Sequence, residues 1–349
     1  MKKIIAIILA LVMLMSFAAC SASSDTTETP STTPEASTQT EENASDVEVA
    51  DESENEEFLV GLAFGALDLT PQILSENIIA ICKEKGWEYT MTNADQDPSK
   101  LLSDVESLCQ LGCDVICVRG ITDDSMTPVQ EACKEAGIPL IALSVVDQEG
   151  EYLTLCCDTT EAGADACAEW YAQYIQDHPD QEYNAGFVVG DYSFEAALCR
   201  WTYVRDVEGS NELANGEANW GAPNAMTPVE DWIKTYPEMN VIGSSSDEMT
   251  VGVIQALQDA GKSPDDYIVM SYDALDIMQD YILEGWCDAS VGLDLEKHAR
   301  TVCDVLQKVK DGDTSSVEKL TKAYSIWMCT SENLQGILDG TAEKVYYEY

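Results

Sequence analysis

Polar and aromatic side chains stand at the ends of the predicted strands of this 349-residue chain. In the first half of the chain they are Asp68, Arg119 and Ser144, and in the second half they are Asp191–Phe194, Trp220, Ser246–Glu248 and Asp273. Carboxylates and hydroxyls accept hydrogen bonds, a guanidinium donates two in parallel, and an aromatic face packs against ring C–H groups. Side chains of these types are suited to holding the hydroxyl groups of a small polyol.

Short apolar runs alternate with stretches of helical periodicity from residue 58 onward. The runs at 58–64, 88–92, 115–118 and 139–143 predict buried strands, and the stretches at 71–85, 98–111 and 125–136 predict helices. Each helix is followed by a glycine just before the next strand, and glycine adopts the left-handed helix-ending conformation without steric cost. Such alternation predicts a doubly wound parallel sheet, whose ligands bind beyond the carboxyl ends of the strands.

The same pattern starts again in the second half of the chain. Strands are predicted at 185–190, 240–244 and 267–271, and helices at 161–176, 194–207, 249–260 and 275–284. Two successive α/β lobes fit this repetition better than one very large sheet does.

The N-terminus has the features of an export signal. Lys2 and Lys3 precede an apolar run over Ile4–Met15, which is too short to span a bilayer comfortably and is followed by small residues up to Cys20. The run SFAAC resembles a bacterial lipoprotein signal, in which the cysteine is diacylated, although Phe17 replaces the usual leucine. The resemblance implies an extracytoplasmic protein anchored in the membrane by lipid, on a Gram-positive cell surface. An ordinary secretory signal with an incidental cysteine is the alternative.

Composition excludes several classes of partner and cofactor. The formal net charge of -46 repels nucleic acid and anionic lipid headgroups, and residues 21–57 form an acidic Ser/Thr/Pro linker predicted to be disordered. Thirteen cysteines include no CxxC pair, so we interpret most of them as small core residues. The only two histidines, His178 and His298, are far apart in the sequence, which argues against a histidine-based metal site and against a catalytic triad. Without a phosphate-binding glycine motif, no nucleotide cofactor is expected.

Several segments together resemble the type I periplasmic binding proteins, in particular the ribose and glucose/galactose branch of ABC-transporter solute receptors. The similar segments are 120–143, 199–204, 218–221, 244–262 and 271–275. The resemblance implies two doubly wound lobes joined by a three-strand hinge. It also implies a cleft that closes on its ligand, and delivery of that ligand to an ABC permease.

The resemblance implies a set of ligand-binding residues. In the second lobe, Arg200 and Asp273 would hold ligand hydroxyls, Trp220 would stack on the ligand, and Ser246 stands where the family has asparagine. In the first lobe the candidates are Asp68 and Ser144; the latter replaces the first residue of a family Asp-Arg or Asn pair. Because carboxylates and arginines should roughly balance, a neutral sugar is expected as the ligand.

The resemblance also implies that the chain crosses between the lobes three times, near Asp158, Leu293 and Ser325. The expected organisation is a signal at 1–20, a linker at 21–57, a first lobe at 58–158 plus 293–325, and a second lobe at 159–292 plus 326–349. We expect a monomer. Two alternatives stay open: a chemosensory or quorum-signal receptor of the same fold, and a hydrolase, for which no nucleophile–base pair is recognisable.

Overall fold

Two six-stranded sheets organise the part of the chain that the computed structural model describes, residues 57–144 and 150–349. The predicted lipidation site Cys20, the signal at 1–20 and all but the last residue of the linker at 21–57 lie outside the described residues. Elements are numbered below in chain order.

The first lobe contains an entirely parallel sheet flanked by four helices. Its strands are β1 Leu59–Phe64, β2 Glu88–Asn93, β3 Val115–Arg119, β4 Leu140–Ala142, β5 Thr154–Cys157 and β11 Leu320–Lys322. Its helices are α1 Leu69–Lys85, α2 Pro98–Leu111, α3 Asp123–Ala136 and α9 Leu295–Lys310. The strand order is β11-β5-β4-β3-β1-β2, with every neighbour parallel. The doubly wound prediction is confirmed for this lobe.

The second lobe repeats the architecture with one antiparallel strand. Its strands are β6 Tyr183–Val189, β7 Ser210–Glu217, β8 Val241–Ser244, β9 Ile268–Asp273, β10 Ala289–Leu293 and β12 Ile326–Thr330. Its helices are α4 Thr160–Asp177, α5 Glu195–Arg205, α6 Ala222–Thr235, α7 Asp247–Asp259, α8 Asp276–Leu283 and α10 Ser331–Leu338. The order is β12-β10-β9-β8-β6-β7, and β12 runs antiparallel to β10. It does so because the chain leaves the lobe at the end of β10 and re-enters it at the same edge of the sheet to form β12.

Helix ends in both lobes follow local chemistry. The side chain of Asp97 accepts hydrogen bonds from the backbone N–H groups of Ser99 and Lys100 at the start of α2. At the other end of that helix, Gly112 has a φ of 82° and donates back to Cys109 and Leu108. These signals turn the chain back toward the next strand, so every parallel strand of this lobe ends at the same edge.

Three short segments connect the lobes. The chain passes from β5 into α4, returns from β10 into α9, and passes from β11 into β12. Helix α9 packs on α1 and shares a buried apolar cluster with β1 and β3. The connecting segments are bonded to one another, because Ser325 N–H donates to the Asp158 carboxylate and Asp294 N–H donates to the Ser325 carbonyl.

The twelve cysteines after Cys20 are all unpaired, and ten of them are buried. This agrees with their interpretation as core residues. Within residues 57–144 and 150–349, no helix is both long and apolar enough to cross a membrane. The same residues contain no group of three or more acidic, histidine or cysteine side chains placed to hold a metal ion.

Candidate functional site

A cavity lies between the carboxyl ends of the two sheets and is lined by both lobes. The first lobe contributes Asp68, Thr70 and Arg119, and the second contributes Phe194, Arg200, Trp220, Ser246 and Asp273. The cavity has a volume of about 120 Å³ and therefore admits a small solute.

Asp273 is the most buried carboxylate of the cavity wall, with 6% of its surface exposed. Its Oδ2 accepts a hydrogen bond of 3.2 Å from Thr70 Oγ1 of the first lobe, and its Oδ1 lies 3.9 Å from a guanidinium nitrogen of Arg200. Burial raises the pKa of this carboxyl to about 6, although the charge of Arg200 and the Thr70 hydrogen bond oppose the shift. Asp273 therefore contacts both sides of the cleft and is mostly ionised at neutral pH.

Arg200 is fixed by three interactions of the second lobe. Its guanidinium donates to the carbonyl of Ser245 at 2.5 Å, and its central carbon lies 4.7 Å from the ring centre of Tyr272. The third interaction is an ion pair with Asp273. Asp206 does not compete for Arg200, because it accepts two hydrogen bonds from Arg205. The side chain is thereby held with its charge at the cleft, and its role in ligand binding stays a prediction.

A second buried carboxylate supports the turn that carries Asp273. Asp247 is fully buried at the start of α7, and its oxygens accept hydrogen bonds from Ser271 Oγ, Ser290 Oγ and Leu275 N–H. Burial, together with the charge of Asp273, raises the pKa of Asp247 to about 7. Asp273 has a φ of 106°, a conformation that non-glycine residues adopt only where surrounding contacts enforce it. Asp247 is therefore a positioning residue for Asp273.

Trp220 lies in an equally restricted turn just before α6. Its φ is 61° and that of the preceding Asn219 is 46°. The indole lies directly on Gly190, where a Cβ would come within 2.5 Å of the ring, and it meets the edge of Phe194 at a centroid distance of 6.0 Å. The ring is thus packed on its own lobe and also lines the cavity. Strained, over-determined residues of this kind are typical of ligand-binding sites.

Charge in the cavity departs from the expected balance. Carboxylates of Asp68, Asp191, Glu248 and Asp273 line it against only two guanidiniums, those of Arg119 and Arg200. Asp68 lies 3.9 Å from Arg119, and burial together with the charge of Asp68 raises the pKa of Glu248. The excess of carboxylates disfavours an acidic ligand more strongly than a balanced site would.

The remaining two predicted residues have different surroundings. Ser246 is the N-cap of α7, where its hydroxyl accepts the N–H of Met249 at 3.3 Å, and it also lines the cavity. Ser144 does not line this cavity; it lines a second one nearer the connecting segments. Thr70 and Phe194 line both cavities. The sequence analysis did not predict Thr70, and it named Phe194 only among the side chains that follow a strand.

Two α/β lobes with a polar, solute-sized cavity between the ends of their sheets define a cleft receptor. The chain belongs to the periplasmic binding protein family: a model described as "Periplasmic binding protein domain" matches residues 71–314. It is a solute-binding protein of the type that serves ABC importers, and not an enzyme.

Relatives of known specificity are distant. The ribose import binding protein of Bacillus subtilis is 23% identical over 221 residues, which cover 62% of this chain and 70% of the relative. An ABC-transporter solute-binding protein from Bacillus halodurans, solved with bound myo-inositol, is 20% identical, with a TM-score of 0.71 over 81% of this chain and 98% of its own. A Mycobacterium smegmatis protein solved with β-D-fucofuranose is 21% identical, with a TM-score of 0.73 over 81% of this chain and 94% of its own. At these identities the solved structures show the shared fold.

Proposed function

We propose that this protein captures a neutral sugar or polyol between its lobes and presents the closed complex to an ABC permease. The observation that carries the proposal is the hydrogen bond from Thr70 to Asp273, because it joins the lobes at the wall of the cavity. A ligand in the same place would contact both lobes only when the cleft is closed, and so would stabilise the closed form. The permease then distinguishes loaded from empty receptor by that closure.

The side chains of the cavity support a neutral polyhydroxy ligand. Asp273 accepts hydrogen bonds, Arg200 and Arg119 donate them, and Trp220 offers an aromatic surface. The excess of carboxylates opposes sugar acids and sugar phosphates. The specificities named for the ribose-, inositol- and fucofuranose-binding relatives agree with this class of ligand. Import relatives favour transport over the chemosensory or quorum-signal alternative.

The protein would work as a lipid-anchored monomer on the outer face of a Gram-positive membrane, held by acylated Cys20 and an acidic linker at 21–57. Two or more acyl chains anchor stably where one chain does not. A Cys20→Ala variant should appear in the medium or stay unprocessed, as measured by cell fractionation and labelling with a radioactive fatty acid. Retention of label on the variant would contradict the anchor.

A thermal-shift panel of monosaccharides and polyols, followed by calorimetry on the hits, tests the ligand class. A ligand at 100 times its Kd should stabilise the folded protein by about 2.7 kcal/mol, which is readily detected as a rise in Tm. The matched control is Asp273→Asn, which keeps the side-chain shape and removes the charge. It should bind the same sugars more weakly than the wild-type protein does. The proposal fails if no neutral sugar or polyol, alone or as a glycoside, shifts the wild-type transition.

A further inference from the structure

A second cavity continues the cleft toward the segments that connect the lobes. We call it the hinge compartment, and the cavity described above the outer compartment. The hinge compartment offers about 110 Å³ to water-sized groups, nearly as much as the outer one. Residues that line both compartments stand between them: Thr70, Arg119, Phe194, Arg200 and Leu293. The cleft therefore has two spaces of similar size on either side of a polar constriction.

The wall of the hinge compartment is mostly apolar. Side chains from both lobes contribute, among them Leu74, Leu143, Leu293 and Ile326. By contrast, the outer compartment holds all four of the carboxylates described above. A group that enters the hinge compartment exchanges water for hydrocarbon surface, so it must itself have apolar faces.

Two hydroxyls of that wall have no hydrogen-bond partner within the described residues. They are Ser144 Oγ from the first lobe and Thr160 Oγ1 from the second. Thr160 is 8% exposed and is the first residue of α4, whose capping bond is made by Thr159 instead. A buried polar group without a partner is costly, so native proteins rarely leave one unsatisfied unless something else binds it. Both oxygens are covered by neighbouring atoms, so each hydroxyl would reach an occupant by rotation about χ1 and could then donate to it and accept from it.

The ionisable groups of the compartment are already engaged or neutral. Asp158 accepts hydrogen bonds from the backbone and hydroxyl of Ser325 and from the Tyr349 hydroxyl. Burial lowers the pKa of His298, which favours the neutral ring, and its Nε2 lies 2.7 Å from the Cys156 carbonyl, which can only accept, so Nε2 carries the hydrogen. Apart from Arg119 and Arg200 at the constriction, an occupant therefore meets no unpaired charge inside the compartment.

We propose that the physiological ligand has two linked parts. A sugar or polyol ring occupies the outer compartment, and a small uncharged group with apolar faces and one or two hydrogen-bonding atoms occupies the hinge compartment. The chemical class is a neutral glycoside, in which the second group hydrogen-bonds to Thr160 and Ser144. This inference rests on the proposed function, because it assumes that the outer compartment binds the ring.

Matched pairs of probes test the proposal: glucose against phenyl glucoside, galactose against phenyl galactoside, and ribose against uridine. Calorimetry on wild-type protein should find at least one glycoside that binds about tenfold or more tightly than its own sugar. Equal or tighter binding of every free sugar would overturn the inference while leaving the proposed function intact. A panel in which neither sugars nor glycosides bind would instead overturn the proposed function, and the inference with it.

Variants of the two unpartnered hydroxyls locate the second group. Thr160→Val keeps the side-chain shape and should weaken the best glycoside about five- to tenfold, the loss of one hydrogen bond, with the free sugar unchanged. Its Tm should not fall, since no protein hydrogen bond is lost. Ser144→Ala is the second variant and is used if Thr160→Val folds poorly. It should likewise weaken the glycoside about five- to tenfold and leave binding of the free sugar unchanged. Equal weakening of sugar and glycoside would overturn the assignment.

Thr92 provides the matched control. Its hydroxyl is also buried without a partner among the described residues, but it lies on β2 and lines neither compartment. Thr92→Val should leave both affinities within twofold of wild type. If Thr92→Val weakened the glycoside as much as Thr160→Val does, the effect would be one of general stability and the hinge-compartment assignment would be wrong.

Discussion

Thr70 and Asp273 are 203 residues apart in sequence, yet the Thr70 hydroxyl donates a 3.2 Å hydrogen bond to the Asp273 carboxylate across the cleft. Thr70 lies in the first turn of α1, and Asp273 is the last residue of β9 in the other lobe. A contact of this kind exists only when the lobes are closed. It therefore links the position of a ligand-facing carboxylate directly to the closure of the receptor.

Removing the Thr70 hydroxyl should shift the receptor toward its open form. Hydrogen bonds to charged groups contribute about 1.5–3 kcal/mol, so Thr70→Val should weaken sugar binding about tenfold or more. Calorimetry measures the affinity, and small-angle scattering of the unliganded protein should show a larger radius of gyration. Thr92→Val is the control for loss of a threonine hydroxyl. An unchanged affinity together with an unchanged radius would contradict a role of Thr70 in closure.

Acidification should affect ligand affinity and protein stability in opposite directions. The pKa of Asp273 is raised to about 6, chiefly by burial, so the carboxylate that accepts ligand hydroxyls is lost below that pH and affinity should fall. Because the folded-state pKa exceeds the unfolded value near 3.8, the folded state binds the proton more strongly. The contribution of Asp273 to stability is thus greatest in acid and is lost as pH rises through about 6.

Asp273→Asn isolates that titration from the other acidic groups. At pH 7.5 the variant should bind sugar weakly and should have a Tm at or above that of wild type. At pH 4.5, where wild-type Asp273 is protonated, the two proteins should converge in stability. Calorimetric titrations and melting curves between pH 4.5 and 8 provide the comparison. A difference in Tm that does not change with pH would show that Asp273 does not titrate in this range.

Trp220 should contribute to affinity more than to stability. Its indole already packs on Gly190 and Phe194, so Trp220→Ala will cost some packing, and it also removes the aromatic face expected to pack on the sugar ring. We expect about a tenfold loss of sugar affinity, with Trp220→Phe retaining most of it. Wild-type affinity in both variants, measured by calorimetry, would show that the ring only packs on its own lobe.

The C-terminal tyrosines should affect the equilibrium between the open and closed forms of the receptor. Tyr346 donates a 2.5 Å hydrogen bond to Asp294, and Tyr349 donates to Asp158, so the segment contacts two of the connecting segments. Tyr346→Phe and Tyr349→Phe should each lower the free energy of unfolding by about 1–2 kcal/mol and change ligand affinity through the open–closed equilibrium.

Tyr183→Phe is the control for these two variants, because its hydroxyl bonds the His178 carbonyl far from the connecting segments. It should lower stability in urea titrations without changing affinity. If the hinge variants behaved like this control, the C-terminal segment would be a structural element alone.

Most regular elements could be predicted because their signals are local. Apolar runs and glycines such as Gly86, Gly112 and Gly137 mark strand and helix ends in a few residues of sequence, and all three have positive φ as expected. Six elements were missed: the strands β5, β7, β10, β11 and β12 and the helix α6. The edge strand β7 reads SNELANGE, with too few apolar residues to resemble a buried strand, and α6 contains Pro228 within it.

The sequence by itself determined the fold, the family and the types of residue at the strand ends, because periodicity, helix-end signals and the segments that resemble the family are properties of neighbouring residues. It also identified Arg200, Trp220 and Asp273, all of which the structure brings to one cavity. Only the tertiary structure decided that Thr70 meets Asp273 and that Ser144 lines a separate compartment. Those relationships depend on how two lobes approach each other, and no local pattern of side chains encodes a distance between residues of different lobes.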